Sequence, residues 1–127
     1  MDTEINFNKL KWEKSPYPGV YVAPIDVTSS SIITTHAIKI LPRRKIGLHY
    51  HRKEPDWIET IYFLFGGHFE ILVSARKKIL YHTPNPVYLR INSKEKYGII
   101  NKSDQDLLLI SSMKPGFTNY DEIVDVK

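Results

Sequence analysis

A chain of 127 residues with 42% hydrophobic content holds one ordinary domain around one core. Its 18 Lys and Arg against 14 Asp and Glu leave a net charge of +4, a mild surplus that admits anionic ligands but selects neither them nor nucleic acid. With no cysteine present, disulfide frameworks, thiolate metal sites and cysteine nucleophiles are excluded, so any metal must be held by His, carboxylate or water.

The chain opens on "MDTEINFNKLKWEK", too polar and charged for a signal peptide. Residues 1–18 are expected to form an arm or an edge strand. "SPYPGV", Ser15 to Val20, reads as a turn because proline fixes φ and glycine tolerates what other residues do not. After it come short runs rich in β-branched and aromatic residues, at Val20–Ala23, Ile32–Leu41, Ile46–His51, Trp57–Phe65 and His68–Val73. They continue at Lys78–His82, Val87–Asn92, Tyr97–Asn101 and Leu107–Met113. Turn formers separate them, among them Pro42, Gly66–Gly67, Pro84–Asn85–Pro86 and the polar stretch Lys102 to Gln105. The basic run Arg76–Lys77–Lys78 reads as a hairpin turn. No stretch has the caps and periodicity of a long helix. "FTNYDEIVDVK" at the C-terminus admits one short helix capped by Thr118 or Asn119, or an extended segment equally well. Many short strands at close spacing predict an all-β sandwich or barrel. No apolar run approaches the roughly 20 residues of a membrane helix, so the default expectation is a soluble, cytoplasmic protein.

The chemistry concentrates in "IGLHYHRKEPDWIETIYFLFGG", Ile46 to Gly67. Side chains alternate along a strand, so His49 and His51 share a face, expected to include Gly47. Two imidazoles projecting together can hold one metal. In "ETIYFLFG" the same rule groups Glu59 with Ile61, Phe63 and Phe65. A glutamate opening such an apolar strand needs a compensating partner, and a cation near His49 and His51 would be one. Gly66–Gly67 is expected to close a hairpin. Taken alone, the two histidines would more often mark a solvated strand face; Glu59 and the glycine pair tip the balance toward a site.

This stretch resembles the first motif of the cupins, small double-stranded β-helix (jelly-roll) proteins. His49-Tyr50-His51 matches its His-x-His, and Glu59 followed by six residues and Gly66 matches its second half. Seven residues separate His51 from Glu59, more than the family usually has, so "RKEPDWI" would be an enlarged loop. Loops tolerate insertion whereas strand-to-turn spacing fixes the face, which favours Glu59 over the nearer Glu54. The motif's opening glycine is absent. In the second motif Asn101 matches the family asparagine, Tyr97 stands where a third histidine is usual, and the Pro-x-Gly is missing. The resemblance spans roughly Ile38 to Lys114 of a single domain.

It implies an all-β cupin barrel that holds a divalent transition metal (Fe, Mn, Ni or Zn) through His49, His51 and Glu59. Two His and one carboxylate suit Fe(II) with positions left open. Tyr97 would be a fourth ligand or an acid/base, and without metal His49 or His51 would serve as base with Glu59 orienting it. The implied activity is oxygenation or sugar isomerisation/epimerisation of a small polar or anionic molecule. The alternative is a non-catalytic cupin that binds a small ligand as a sensor or storage module. Arg90, between Leu89 and Ile91, would be the anion contact if it faced inward, and an outward position is equally open. Phe63 and Asn101 are further candidates for the substrate pocket. His36 is expected to be structural unless an adjacent strand brings it to the site. His68 is expected to be exposed and His82 to play a surface role. The family also implies homodimers, with the N-terminal segment as the exchanged or added strand.

Overall fold

The computed structural model describes residues 5–26, 32–51, 57–73, 79–82, 87–92, 95–117 and 120–126. The loop carrying Glu54, the basic turn at 76–78, the proline turn at 84–86 and the candidate cap at 118–119 lie outside the described residues.

The β-branched and aromatic runs become strands, all paired antiparallel. In chain order they are Glu13–Lys14 (β1), Val20–Asp26 (β2), Thr34–Ile40 (β3), Lys45–His51 (β4), Ile58–Phe65 (β5) and His68–Val73 (β6). Ile79–His82 (β7), Val87–Asn92 (β8), Tyr97–Asn101 (β9), Leu107–Lys114 (β10) and Ile123–Asp125 (β11) complete the set. They form a six-stranded sheet in the order β1-β2-β3-β10-β5-β8 and a five-stranded sheet in the order β11-β4-β9-β6-β7. The C-terminal segment, left open between helix and strand, resolves into a 3-10 turn at Tyr120–Glu122 followed by β11.

The two sheets face each other over the core. β5 sits in the six-stranded sheet between β10 and β8, while β6 sits in the other between β9 and β7. Gly66–Gly67 therefore carries the chain from one sheet to the other rather than closing a hairpin. Gly66 adopts a φ of 147°, and a Cβ there would lie 2.9 Å from Leu107 Cδ1, so the crossing needs glycine. Beneath it Phe63 and Phe69, one from each sheet, stack at 4.4 Å between ring centroids. Ile61, Ile91, Ile99, Leu107 and Leu109 are buried around them. Each such side chain contributes about 1.5–3 kcal/mol on leaving water.

Two bulges change the faces that simple alternation predicts. β4 pairs with β9 through Ile46↔Ile99 and then His49↔Tyr97, so β4 carries one extra residue between these pairs. Ile46 thus points inward together with His49 and His51, in place of Gly47. At the far end of β5 the register against β10 shifts between Leu108 and Leu109. Phe65 then turns outward and is 62% exposed, although alternation groups it with buried Phe63.

Candidate functional site

One end of the space between the sheets is a pocket of about 510 Å³, counted out to its open mouth. The bulged strand β4 supplies His49 and His51, β5 supplies Glu59, β9 supplies Tyr97 and β10 supplies Ser111, all lining the pocket. All five are buried. The structure therefore brings together four of the residues singled out in the sequence, His49, His51, Glu59 and Tyr97.

Glu59 is completely buried, a costly position for a carboxyl group unless donors surround it. Two hydroxyls donate to it: Tyr97 from the opposite sheet to Oε1, and Ser111 from the neighbouring strand to Oε2. His51 Nε2 lies 3.7 Å from Oε1. Burial raises the Glu59 pKa above the ordinary carboxylate range, opposed by His51 and by the two hydroxyl bonds. Tyr97 is held well above the usual phenol range, first by burial and then by the charge of Glu59. Its phenol is therefore protonated at neutral pH and donates to Glu59.

The histidines are both fixed through Nδ1. His49 Nδ1 lies 2.8 Å from the carbonyl oxygen of Gly47, and His51 Nδ1 lies 3.0 Å from Glu122 Oε2. Donation from Nδ1–H to these acceptors leaves each Nε2 with a free lone pair. Burial pushes His49 down to about 4, opposed by the Gly47 bond, so its ring is neutral at neutral pH. His51 stacks on Trp57 with centroids 4.6 Å apart, and His49 packs on Tyr97 at 4.4 Å. His51 Nε2 is buried without a hydrogen-bond partner.

Glu122 is a residue that sequence reasoning missed. It ends the Tyr120–Glu122 turn and is buried, and the next residue, Ile123, pairs with His51 in the β11–β4 ladder. Nearby, Asp125 accepts a 2.7 Å hydrogen bond from the Tyr17 hydroxyl. An acidic residue beside a short apolar run, Ile123–Val124, was the available signal, but nothing local showed that the run would pair with the histidine strand.

Three candidate substrate contacts lie outside the pocket lining. Arg90 is exposed and pairs with Thr60, whereas its neighbour Ile91 pairs with Glu59 and is buried, so β8 turns Arg90 outward. Phe63 lies in the core against Phe69 and does not line the pocket. Asn101 is buried, but its amide nitrogen donates to the carbonyls of Ile40, Leu41 and Gln105 while its oxygen accepts from Ser103. That side chain holds a turn together and has no capacity left for a ligand. His36, in contrast, lines the pocket wall and meets Phe117 edge-on at 5.7 Å, and burial lowers its pKa. His68 is exposed.

No protein-family model matches the sequence, and no curated protein matches it either. Solved structures do match. The cupin domain of Schizosaccharomyces pombe Cnp3 superposes with a TM-score of 0.69 at 11% identity, over 89% of this chain and 74% of that one. This chain folds as a cupin. A protein with a double-stranded β-helix domain from Klebsiella pneumoniae matches this chain with a TM-score of 0.75 at 12% identity, over 100% and 99% of the two chains. The polyketide cyclase RemF from Streptomyces resistomycificus matches with a TM-score of 0.76 at 14% identity, over 100% of this chain and 87% of RemF. At such identities the likeness establishes the fold and leaves function to the site.

The residue types at the site, two imidazoles and a carboxyl group, are ones that ligate metal ions. Both imidazoles have Nδ1 bonded to a carbonyl or carboxylate oxygen, as metal-ligating histidines commonly do through their second nitrogen. A carboxyl group offers more acceptor positions than two, and the Tyr97 and Ser111 hydroxyls occupy one on each oxygen of Glu59. Among the described residues no group of three His, Asp or Glu side chains is placed so that it could hold a metal ion.

Proposed function

We propose that this cupin is a metal-dependent enzyme acting on a small molecule at the pocket between its sheets, by oxygenation or by isomerisation/epimerisation. His49, His51 and Glu59 would hold a divalent transition metal, Fe, Mn, Ni or Zn. The observation that carries the reading is the His51 ring: Nε2 is buried without a partner while Nδ1 is bonded to Glu122. An isolated buried acceptor is costly, and a bound cation would remove that cost. When bound, the metal would supply Lewis acidity or activate oxygen. The chain's own residues have simpler tasks. Glu122 and the Gly47 carbonyl orient the two imidazoles, Tyr97 and Ser111 hold the Glu59 carboxyl, and Trp57 backs the His51 ring.

A second reading, a non-catalytic cupin that binds a small ligand, is favoured by one feature. Tyr97 occupies the place of a third histidine and spends its hydroxyl on Glu59, which leaves a smaller ligand set than two imidazoles and two further donors would give. Elemental analysis after reconstitution with each of the four metals separates the readings. Stoichiometric metal that is lost in both His49→Ala and His51→Ala is the expected result. No uptake of any of the four by the folded wild-type protein would overturn the metalloenzyme reading and leave the binding module.

A further inference from the structure

The pocket's walls and floor differ in chemistry, and together they define what fits. The walls are apolar, from Val20, Val22 and Ile38 to Met113. An aromatic series runs from mouth to floor. Tyr120 meets Phe117 edge-on at 5.3 Å, Phe117 meets His36 at 5.7 Å and His51 at 6.4 Å, and Tyr17 packs on His49 at 5.9 Å. Such a series accommodates a flat ring through stacked or edge-to-face contacts.

The charge balance excludes an anion. Among the described residues no Lys or Arg lines the pocket. Burial keeps His36 below its ordinary range, so it adds no positive charge at neutral pH. The ionisable neighbours besides the histidines and tyrosines are carboxyl groups, with Glu59 in the floor, Glu122 behind His51 and Asp125 bonded to Tyr17. A carboxylate or phosphate would leave water for a site with no counter-charge, which is unfavourable.

The floor has used its donors. The hydroxyls of Tyr97 and Ser111 are given to Glu59, and the Nδ1 positions of the two histidines face Gly47 and Glu122. What remains is acceptor capacity, above all at His51 Nε2, a buried atom without a hydrogen-bond partner on a residue that lines the pocket. The polar end of a complementary ligand must therefore donate.

From this geometry we infer that the pocket takes an uncharged, ring-bearing molecule whose hydroxyl group reaches the floor as a donor, and that it discriminates against carboxylates, sugar acids and phosphates. The inference rests on the same pocket as the proposed function but not on a bound metal. Three probes of nearly one shape test it on chelator-treated, metal-free protein, by calorimetry and by chemical-shift perturbation. They are 4-methylphenol, 4-methylanisole, which lacks the donor, and 4-hydroxybenzoate, which keeps the donor and adds a charge. The phenol is expected to bind at least tenfold more tightly than either of the others and to shift signals of Tyr17, His36 and Phe117. A Val22→Arg variant, shown to be folded by circular dichroism, should narrow or reverse the preference between the phenol and 4-hydroxybenzoate. Equal or tighter binding of the anion or of the anisole to the wild-type protein overturns the inference, as does binding of none of the three at millimolar concentration. Metal uptake measured in parallel keeps the two proposals apart, since either result can fail without the other.

Discussion

Removing the Glu122 carboxylate should weaken metal binding more than a purely structural role would allow. The group is buried and its Oε2 lies 3.0 Å from His51 Nδ1. It therefore places the ring proton on Nδ1 and the lone pair on Nε2. In Glu122→Ala the Nδ1–H loses a carboxylate acceptor inside the protein. Hydrogen bonds to charged groups contribute about 1.5–3 kcal/mol, so the metal-free variant should lose about that much stability in urea unfolding. The imidazole is then free to rotate or to carry its proton on Nε2, and loss of such outer partners costs roughly 10–100-fold in metal affinity. That corresponds to about 1.4–2.8 kcal/mol, the same scale as the lost bond. Glu122→Gln keeps an acceptor but not the charge, and should fall between wild type and alanine in both measurements. The affinities come from Zn²⁺ titration against a competing chelator, on protein shown to be folded. A folded Glu122→Ala variant whose zinc affinity stays within about twofold of wild type would refute the assignment of Glu122 as the residue that positions His51.

Asn101→Ala should be costly for stability and neutral for metal. Five contacts to Ile40, Leu41, Ser103 and Gln105 would go at once, and buried groups left unsatisfied cost about 1–3 kcal/mol each before relaxation. A loss on the order of 3 kcal/mol in urea unfolding is expected, with zinc stoichiometry unchanged, and a loss below about 1 kcal/mol would contradict the structural assignment. A third prediction concerns acid. His49 is held down to about 4 by burial, below the usual 6.5, so the unfolded chain takes up this proton first. Its contribution to stability is complete above pH 6.5 and is lost as pH falls toward 4. Glu59, raised by burial, acts with the opposite sign and loses its contribution as pH rises above the ordinary carboxylate range. Comparison with His49→Gln isolates the histidine. Between pH 7 and pH 5 the metal-free wild type should lose on the order of 2 kcal/mol more than the variant, and parallel pH profiles would refute the burial argument.

Strand positions were legible because they follow from local composition. β-Branched and aromatic runs cut by turn formers mark strands whatever surrounds them, and β4, β5, β6, β8, β9 and β10 start and end within a residue of the sequence expectation. What could not be read is which strands pair. Gly66–Gly67 reads locally as a hairpin because glycine serves tight hairpins and sheet-to-sheet crossings equally well, and only the partners of β5 and β6, far away in sequence, decide between them. The bulges are of the same kind. The extra residue in β4 lies opposite Gly98, where a Cβ would stand 3.1 Å from the Ile46 carbonyl oxygen, a closeness that a glycine in β9 permits and that β4 does not announce. Simple alternation still placed His49 and His51 together because both lie on the same side of that bulge. It misgrouped Gly47 and Phe65 because each lies beyond one.

The same distinction explains the fate of the candidate site residues. His49, His51 and Glu59 were found through a motif confined to one stretch of chain, and their convergence needed only β4 and β5 to face each other. Arg90 was undecidable because its strand carries an apolar residue on either side, Leu89 and Ile91. The choice of face came from Ile91 pairing with Glu59. Once Glu59 turns inward, Ile91 follows and Arg90 is driven out. The loss of that cation changes the chemistry expected of the pocket more than any other single placement. With Arg90 inside, an anion would be the natural ligand; with it outside, the pocket is walled by hydrocarbon and aromatic rings over an acceptor-rich floor. A floor of that kind calls for a cation, a donor hydroxyl or both, so the metal and the uncharged hydroxyl compound are two answers to one requirement. They would also be compatible, since a hydroxyl compound could bind beside a metal if His49, His51 and Glu59 held one.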